Sequence, residues 1–305
     1  MAAARPPTYA KEDGNLFHPI TLADLDAIYE RQQNLQTLTS EFDAFRLFAW
    51  LPLDRSEVAF WGDRFALRCH VRGEIWYLAP YETEDFTGML DRLTAYERAR
   101  GGKTFRFLNT ERVPAGFPQG FAAAPRRDLY DYLYRAEDLT AFGGRAYAAK
   151  RNQVSQFKRG HAWRFEPLSP GNRGACLAVA DEWKALHGTG GLIGAEHTAI
   201  ERMLAIPKDY GQSGGVLYAD DKPVAFAIGS HPRAALLDIV AEKALPGYTG
   251  VYSAIIQLYA QYAYSLSPFE FINREEDMGL PNLREAKRQL KPVRLIEKTM
   301  MTLEL

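Results

Sequence analysis

Two cysteines among 305 residues are too few for a disulfide framework. Cys69 lies in an alternating strand pattern and Cys176 on an apolar helix face, so both read as reduced thiols of a core. The histidines (His18, His70, His161, His187, His197 and His231) show no metal-ligand spacing and have no cysteine pair beside them, which excludes a zinc-type site. No apolar run approaches the ~20 residues that cross a bilayer, and the first residues lack the apolar stretch of a signal peptide. The expectation is a cytoplasmic chain without a transmembrane segment, meeting any lipid at the membrane surface. Neither sign of charge is in surplus: the formal net charge is -1, which excludes nucleic-acid coating by the whole surface but leaves room for a local basic strip. No internal sequence repeat is visible.

What is present fits a soluble α/β protein. Hydrophobic residues make up 47% and charged residues 25% of the chain, ordinary for globular domains, and the length suits two domains of roughly 150 residues each. Residues 1–16, without periodicity, are expected to be a flexible N-terminus. Thr21 and Asp24 form a capping-box pair, with Ile20 placed to staple onto Leu25, and Leu22, Leu25, Ile28 and Tyr29 give one apolar helix face. Ser40 is expected to open a second helix through Phe42, Phe45, Phe48 and Ala49. Strands follow at Val58 to Trp61, Phe65 to Val71 and Ile75 to Leu78. A helix from Phe86 stops at Gly101-Gly102, and Thr104 to Leu108 is a further strand. Residues 111–127, rich in Pro, Gly and Ala, form the expected seam, giving an N-terminal domain at 17–127 and a C-terminal domain at 128–305.

The second half begins with the alternating Tyr130, Tyr132 and Tyr134, then a basic helix from Arg145 to Arg159 and a strand at Ala162 to Glu166. Helices at Asn172 to Leu186 and Ala195 to Leu204 precede a meander: Val216 to Ala219, Val224 to Ile228 and Leu236 to Ala241. A long helix from Thr249 to Tyr264, a strand from Phe269 to Asn273, a helix from Pro281 to Leu290 and a strand from Val293 complete it. Both halves thus run two helices, three strands, a helix, a strand and a return element, which is the element order of the GNAT acyltransferase fold. Gly211-Gln212-Ser213-Gly214-Gly215 matches G-x-S-x-G, but a strand follows it where the nucleophile elbow needs a helix.

Three segments carry a family resemblance. They are Asp131-Tyr132-Leu133-Tyr134-Arg135; Lys150-Arg151-Asn152 with Phe157-Lys158; and Ile272-Asn273-Arg274-Glu275-Glu276-Asp277-Met278-Gly279 with Leu283-Arg284-Glu285-Ala286-Lys287. These resemble the DUF2156 family, which is grouped with the C-terminal domain of bacterial phosphatidylglycerol lysyltransferases and is similar in fold to the Fem peptidyltransferases. The resemblance spans about residues 17–300 and implies an α/β (α+β) chain of two tandem GNAT-like domains, each a mixed sheet flanked by helices. It also implies transferase chemistry: relatives of known activity move an aminoacyl group from tRNA to a lipid or peptidoglycan amine or hydroxyl. The full-length lipid transferases carry a multi-helix membrane domain as well, which this sequence lacks.

GNAT-like folds bind the donor's phosphates at the N-terminus of the helix after the fourth strand, where free N–H groups and the helix dipole favour anions. In the second half that junction reads Gly247-Tyr248-Thr249-Gly250, and two glycines three apart allow a close backbone approach. In the first half the corresponding Ala79 to Asp85 has no glycine and three carboxylates, so the second domain is expected to hold the donor. Of the usual phosphate motif only the central glycine, Gly250, stands in place; the bland alternative is a turn that starts a helix. In the basic helix, Lys150, Arg151 and Asn152 suit a phosphate-bearing partner such as a tRNA end, against the alternative of a solvated charged face. Glu275, nearest the strand end, is the expected general base or amine-binding group, and Tyr252 the donor to the leaving group. Asn273, Arg274, Glu276 and Asp277 are expected to bind the acceptor, against the alternative of an acidic turn that caps the next helix. Three adjacent carboxylates do not all face one pocket on a regular backbone.

These residues lead to acyl or aminoacyl transfer to an amine or hydroxyl of a small-molecule, lipid or peptide acceptor. No covalently bound cofactor is expected, and the donor is an aminoacyl-tRNA or an acyl-CoA. An acyl-CoA-dependent small-molecule N-acetyltransferase and a non-catalytic binding protein on the same fold are the alternatives.

Overall fold

The computed structural model describes residues 16–71, 73–81, 85–111, 117–188 and 190–305. Of the expected flexible N-terminus all but residue 16 lies outside them, as do Glu82, Glu84 and residues 112–116 of the expected seam. The chain forms two compact units: one takes the chain through Tyr130 and again Ile296–Leu305, the other Asp131–Leu295.

The first unit opens with β1 (His18–Pro19), α1 (Leu22–Gln32) and α2 (Ala44–Asp54). The expected capping box is present: the Asp24 amide donates to Thr21 Oγ1 at 3.3 Å, and the Thr21 amide to Asp24 Oδ2 at 2.9 Å. The second helix starts later than Ser40 because Asp43, not Ser40, accepts from the first-turn amide of Phe45. Next come β2 (Glu57–Trp61), β3 (Arg64–Val71), β4 (Glu74–Leu78), α3 (Phe86–Ala99), β5 (Thr104–Asn109) and β6 (Ala122–Pro125). The core of this unit is aromatic: Phe17, Tyr77, Phe105 and Phe107 are almost completely buried, each worth roughly 1.5–3 kcal/mol of apolar burial.

The second unit begins with β7 (Asp131–Arg135), α4 (Ala136–Ala141), α5 (Ala148–Gly160) and β8 (Trp163–Pro167). It continues with α6 (Arg173–His187), α7 (Gly191–Ala205), β9 (Gln212–Ala219), β10 (Lys222–Arg233), β11 (Leu236–Ala244) and α8 (Val251–Leu266). Then β12 (Phe271–Asn273), α9 (Pro281–Arg288) and β13 (Arg294–Ile296) close its sheet, ordered β13-β7-β12-β11-β10-β9-β8. The expected basic helix divides into a 3-10 turn at Arg145–Tyr147 and α5. Ser213 lies in β9, buried, its hydroxyl 2.8 Å from that of Tyr259, so the G-x-S-x-G match is a strand and not a nucleophile elbow. Both cysteines are free and buried, and burial pushes each thiol up to about 12.

One difference from the expected domain limits concerns the last residues. The strand expected from Val293 is two strands, and the second, β14 (Thr299–Glu304), lies between β5 and β6 of the first unit's sheet, ordered β1-β2-β3-β4-β5-β14-β6. Its apolar Met300 and Met301 are buried there. Just before it, the fully buried Lys298 ammonium donates to Glu41 Oε1 at 2.6 Å. Burial alone would raise the Glu41 carboxyl, but Lys298 and Arg46 outweigh it and hold the group down at about 2.

Candidate active site

The second sheet opens beside β11. β12 runs parallel to β11 through the pairs Leu236↔Phe271, Leu237↔Ile272 and Asp238↔Asn273, and ends there. On its other edge β11 stays paired with β10 as far as Ala225↔Ala244. Among the described residues the carboxyl half of β11 therefore has no strand on the β12 side, and crevices at the carboxyl ends of such strands are where α/β sheets hold ligands. A register shift at Gly229 accompanies the change; a Cβ there would stand 2.1 Å from the Asp238 carbonyl oxygen, which is why the position takes glycine.

Neighbouring residues on a strand point to opposite faces, and Glu242 and Lys243 show it. Glu242 accepts from Arg274 Nη2 at 3.1 Å, both side chains being at most about an eighth exposed (9% and 13%). Burial works against the Arg274 charge, and Glu242 with Tyr134 outweighs it. Lys243 donates to Glu196 of α7 at 2.6 Å, with its ammonium 4.0 Å from the ring centre of Trp183 on α6. The other neighbour of that indole is His187, stacked at 4.0 Å and 12°. Tyr252, on the first turn of α8, is 46% exposed. Burial of its hydroxyl raises the phenol, a bond with Trp183 opposes the rise, and Glu242 adds to it. Lys150 of α5, half-buried, is lowered by burial and by the Arg274 charge, with Glu242 acting the other way. Glu242 is thus the carboxylate common to Arg274, Lys150 and Tyr252.

The acidic segment after β12 is held from below. Asn273 is fully buried; its Oδ1 accepts from the Glu275 amide at 2.7 Å and its Nδ2 donates to Asp131 at 3.2 Å. Glu275 and Met278 have left-handed backbones (φ 52° and 51°), an arrangement that costs non-glycine residues energy and persists only when neighbours enforce it. At Glu275 the neighbours include Lys287 of α9, buried, whose ammonium donates to the carbonyls of Arg274, Glu275 and Glu276; past Met278 the Gly279 amide donates to Asp277 Oδ1 at 2.9 Å. Burial and Arg274 push that ammonium down to about 8, against the pull of Glu276, Glu275 and Asp131. Asp277, fully buried, accepts from Tyr132 Oη at 2.7 Å and from Arg284 Nε and Nη2 at 2.8 and 3.0 Å.

The residues singled out in the sequence therefore separate. Arg274 is paired with Glu242, whose charge also acts on Lys150 and Tyr252; Asn273 and Asp277 are engaged in fixing the loop; Glu275 and Glu276 are half-buried beside it. Arg151 turns back to the carbonyls of Phe142 and Gly144, and Asn152 is exposed. Gly247, Tyr248, Thr249 and Gly250 form the turn into α8, where no side chain caps the helix. Tyr248 packs against the core and lies 5.3 Å from the His161 ring. The grouping adds Glu242, Lys243, Glu196 and Trp183, which sequence reasoning missed; the one signal for them was a pair of charges, Glu242-Lys243, at the end of an apolar strand. Among the described residues no cluster of His, Cys, Asp and Glu fits a metal ion, and no helix is long and apolar enough to cross a membrane.

Known proteins bear on this geometry. No curated protein matches the chain. A conserved protein of unknown function from Bacteroides thetaiotaomicron is 26% identical, with TM-score 0.86 over 94% of this chain and 99% of its own. The C-terminal domain (DUF2156) of a putative lysylphosphatidylglycerol synthetase from Agrobacterium fabrum is 16% identical, with TM-score 0.64 over 92% and 93%. FemX is 7% identical, with TM-score 0.59 over 93% and 96%. The two mixed sheets flanked by helices are accordingly the expected tandem GNAT-like, Fem-related fold. The family model described as phosphatidylglycerol lysyltransferase, C-terminal, matches residues 46–302, and this chain belongs to that family.

Proposed function

We propose that the chain transfers an aminoacyl or acyl group to an amine or hydroxyl acceptor, in the opening beside the carboxyl half of β11. The observation that carries this reading is Glu242 at the open edge of β11, paired with Arg274 at 3.1 Å and acting by its charge on Lys150 and Tyr252. Membership of a family named for a lysyltransferase supports the reaction class, and lysyl transfer to a lipid is the specific form it suggests.

In the proposed step the acceptor's nitrogen or oxygen attacks the donor's carbonyl carbon. The new C–N or C–O bond forms while the carbonyl electrons move to oxygen. The uncapped N–H groups of α8 face a developing oxyanion favourably. The tetrahedral species then expels the donor's alcohol or thiol. A carboxylate takes the acceptor's proton, and the leaving group is protonated from Tyr252, which in turn regains a proton from that carboxylate. Glu242 is preferred for the carboxylate over Glu275, because it is paired with Arg274 and its charge acts on Tyr252. No resident cofactor enters this scheme; the donor is a substrate.

The test is radiolabelled transfer from mixed aminoacyl-tRNA, and separately from acyl-CoA, to phosphatidylglycerol vesicles and soluble amines. Glu242→Gln is expected to lower turnover about 100-fold or more, and Glu275→Gln much less. Transfer only from acyl-CoA to soluble amines identifies an N-acetyltransferase. No transfer from any donor, with ligand binding intact, identifies a binding protein. Full turnover in Glu242→Gln rules out the carboxylate assignment.

A further inference from the structure

Four residues beside the opening form an ordered column that the proposed transfer step does not use. Glu196 Oε1 accepts from the Lys243 ammonium at 2.6 Å, and that ammonium lies 4.0 Å from the ring centre of Trp183. The His187 imidazole stacks on the same indole, with 4.0 Å between centres and 12° between planes. Its Nδ1 donates to the Trp183 carbonyl at 2.8 Å, so turning the ring on edge breaks a hydrogen bond as well as the stack. The Lys243 side chain is 10% exposed, Trp183 is half-buried and His187 is exposed. The column therefore begins one residue after Glu242 on β11 and ends in an imidazole at the surface.

Holding an exposed side chain in one orientation costs conformational entropy, and here the contacts that hold it come from Trp183. Among the described residues no second ring meets His187. What surrounds it is apolar and uncovered. Trp183 of α6 and Glu196 of α7 meet at one ammonium; one turn nearer the joint between the helices, α6 carries His187 and α7 carries Leu192. Leu192 is 46% and Leu186 is 56% exposed. A flat ring fixed in advance, with large apolar side chains left in solvent around it, is what a stacking platform for another flat ring requires.

We infer that the exposed face of His187 stacks on the adenine ring of the donor and so helps to hold the donor beside the opening. This rests on the proposed transferase reading for its purpose, but its binding test needs no turnover. The acceptors of that reading, amines and hydroxyls of lipids, peptides or small molecules, share no ring. Its donors do: an aminoacyl-tRNA ends in adenosine and an acyl-CoA carries one. Stacking on an aromatic side chain accommodates either source, because it reads only the π face of the base.

Calorimetric titration of the full chain with adenosine tests the platform; the probe is uncharged, so no phosphate contact contributes. Saturable binding is expected. His187→Ala is expected to weaken it about tenfold or more, His187→Leu to the same extent because it restores area without a flat face, and His187→Phe to retain most of it. Trp163→Ala, which removes an exposed ring on β8, is expected to leave it unchanged. Titration with coenzyme A and with a short RNA ending in adenosine separates the sources. Whichever loses affinity in His187→Ala supplies the ring, and loss with both means that one platform serves both; no loss with either overturns the assignment to the donor. No saturable binding of adenosine, or equal affinity in His187→Ala, overturns the site. Saturable binding of phenylalanine amide in its place overturns adenine as the occupant. Because no transfer is measured, these outcomes leave the transferase reading to its own assay.

Discussion

Gly250 has a φ of 84°, and the carbonyl oxygen of Gln153 occupies the space where a side chain would begin. Gly247 has a similar φ of 94° with nothing within 4 Å. Substituting alanine at the two positions therefore has different costs. Gly247→Ala is expected to lose about 1–2 kcal/mol, the left-handed strain alone. Gly250→Ala is expected to lose about 3 kcal/mol or more, because α5 must also shift. Urea unfolding of both variants checks this, and equal losses would show that the contact with α5 is not what fixes the glycine. The same comparison explains why a glycine pair in the sequence did not declare its purpose: φ is a local property, whereas the reason for Gly250 is a helix about a hundred residues away.

At the scale of elements, α9 acts as a clamp on the loop after β12. Lys287 and Arg284 are three apart on one face; the first holds carbonyls of Arg274, Glu275 and Glu276, and the second holds Asp277. The loop carries Arg274 toward Glu242, so the clamp positions half of the candidate site. Lys287 is lowered to about 8 from an ordinary 10.5. The folded state thus binds its proton less well than the unfolded state, and this group's contribution to stability rises with pH between those two values. The slope of unfolding free energy between pH 8 and 10 is expected to be steeper in the wild type than in Lys287→Met. Parallel slopes would mean that the ammonium is not desolvated as the geometry implies. The three-residue spacing was readable in the sequence, but nothing in it showed that three carbonyls stood opposite.

At the scale of the whole molecule, the last strand returns to the first unit and is tied there by Lys298 and Glu41. Glu41 sits at about 2, below its ordinary 4.5, so its stabilisation is complete above 4.5 and is lost as pH falls toward 2. That contribution is on the order of 3 kcal/mol. Lys298→Met is expected to flatten the acid limb of the stability curve in that window, measured by circular dichroism during acid titration. An unchanged acid limb would show that other carboxylates carry it. The tie joins residues 257 apart, a separation no window along the chain would relate, which is why the domain limits expected from composition ended the first domain at its seam.

What the sequence determined by itself is what depends on neighbours along the chain. Thr21 and Asp24 announced a helix start because a capping box spans three residues; alternation announced β3; element order announced two mixed-sheet halves. The motif around Asn273 to Gly279 stood out by its place after a strand. Tertiary structure decided the rest. It buried Asp277 against Tyr132 and Arg284, and it paired Glu242 with Arg274. Burial and pairing set what a charged side chain does, and both depend on residues 30 to 150 positions away that only the folded sheet brings within a few ångströms.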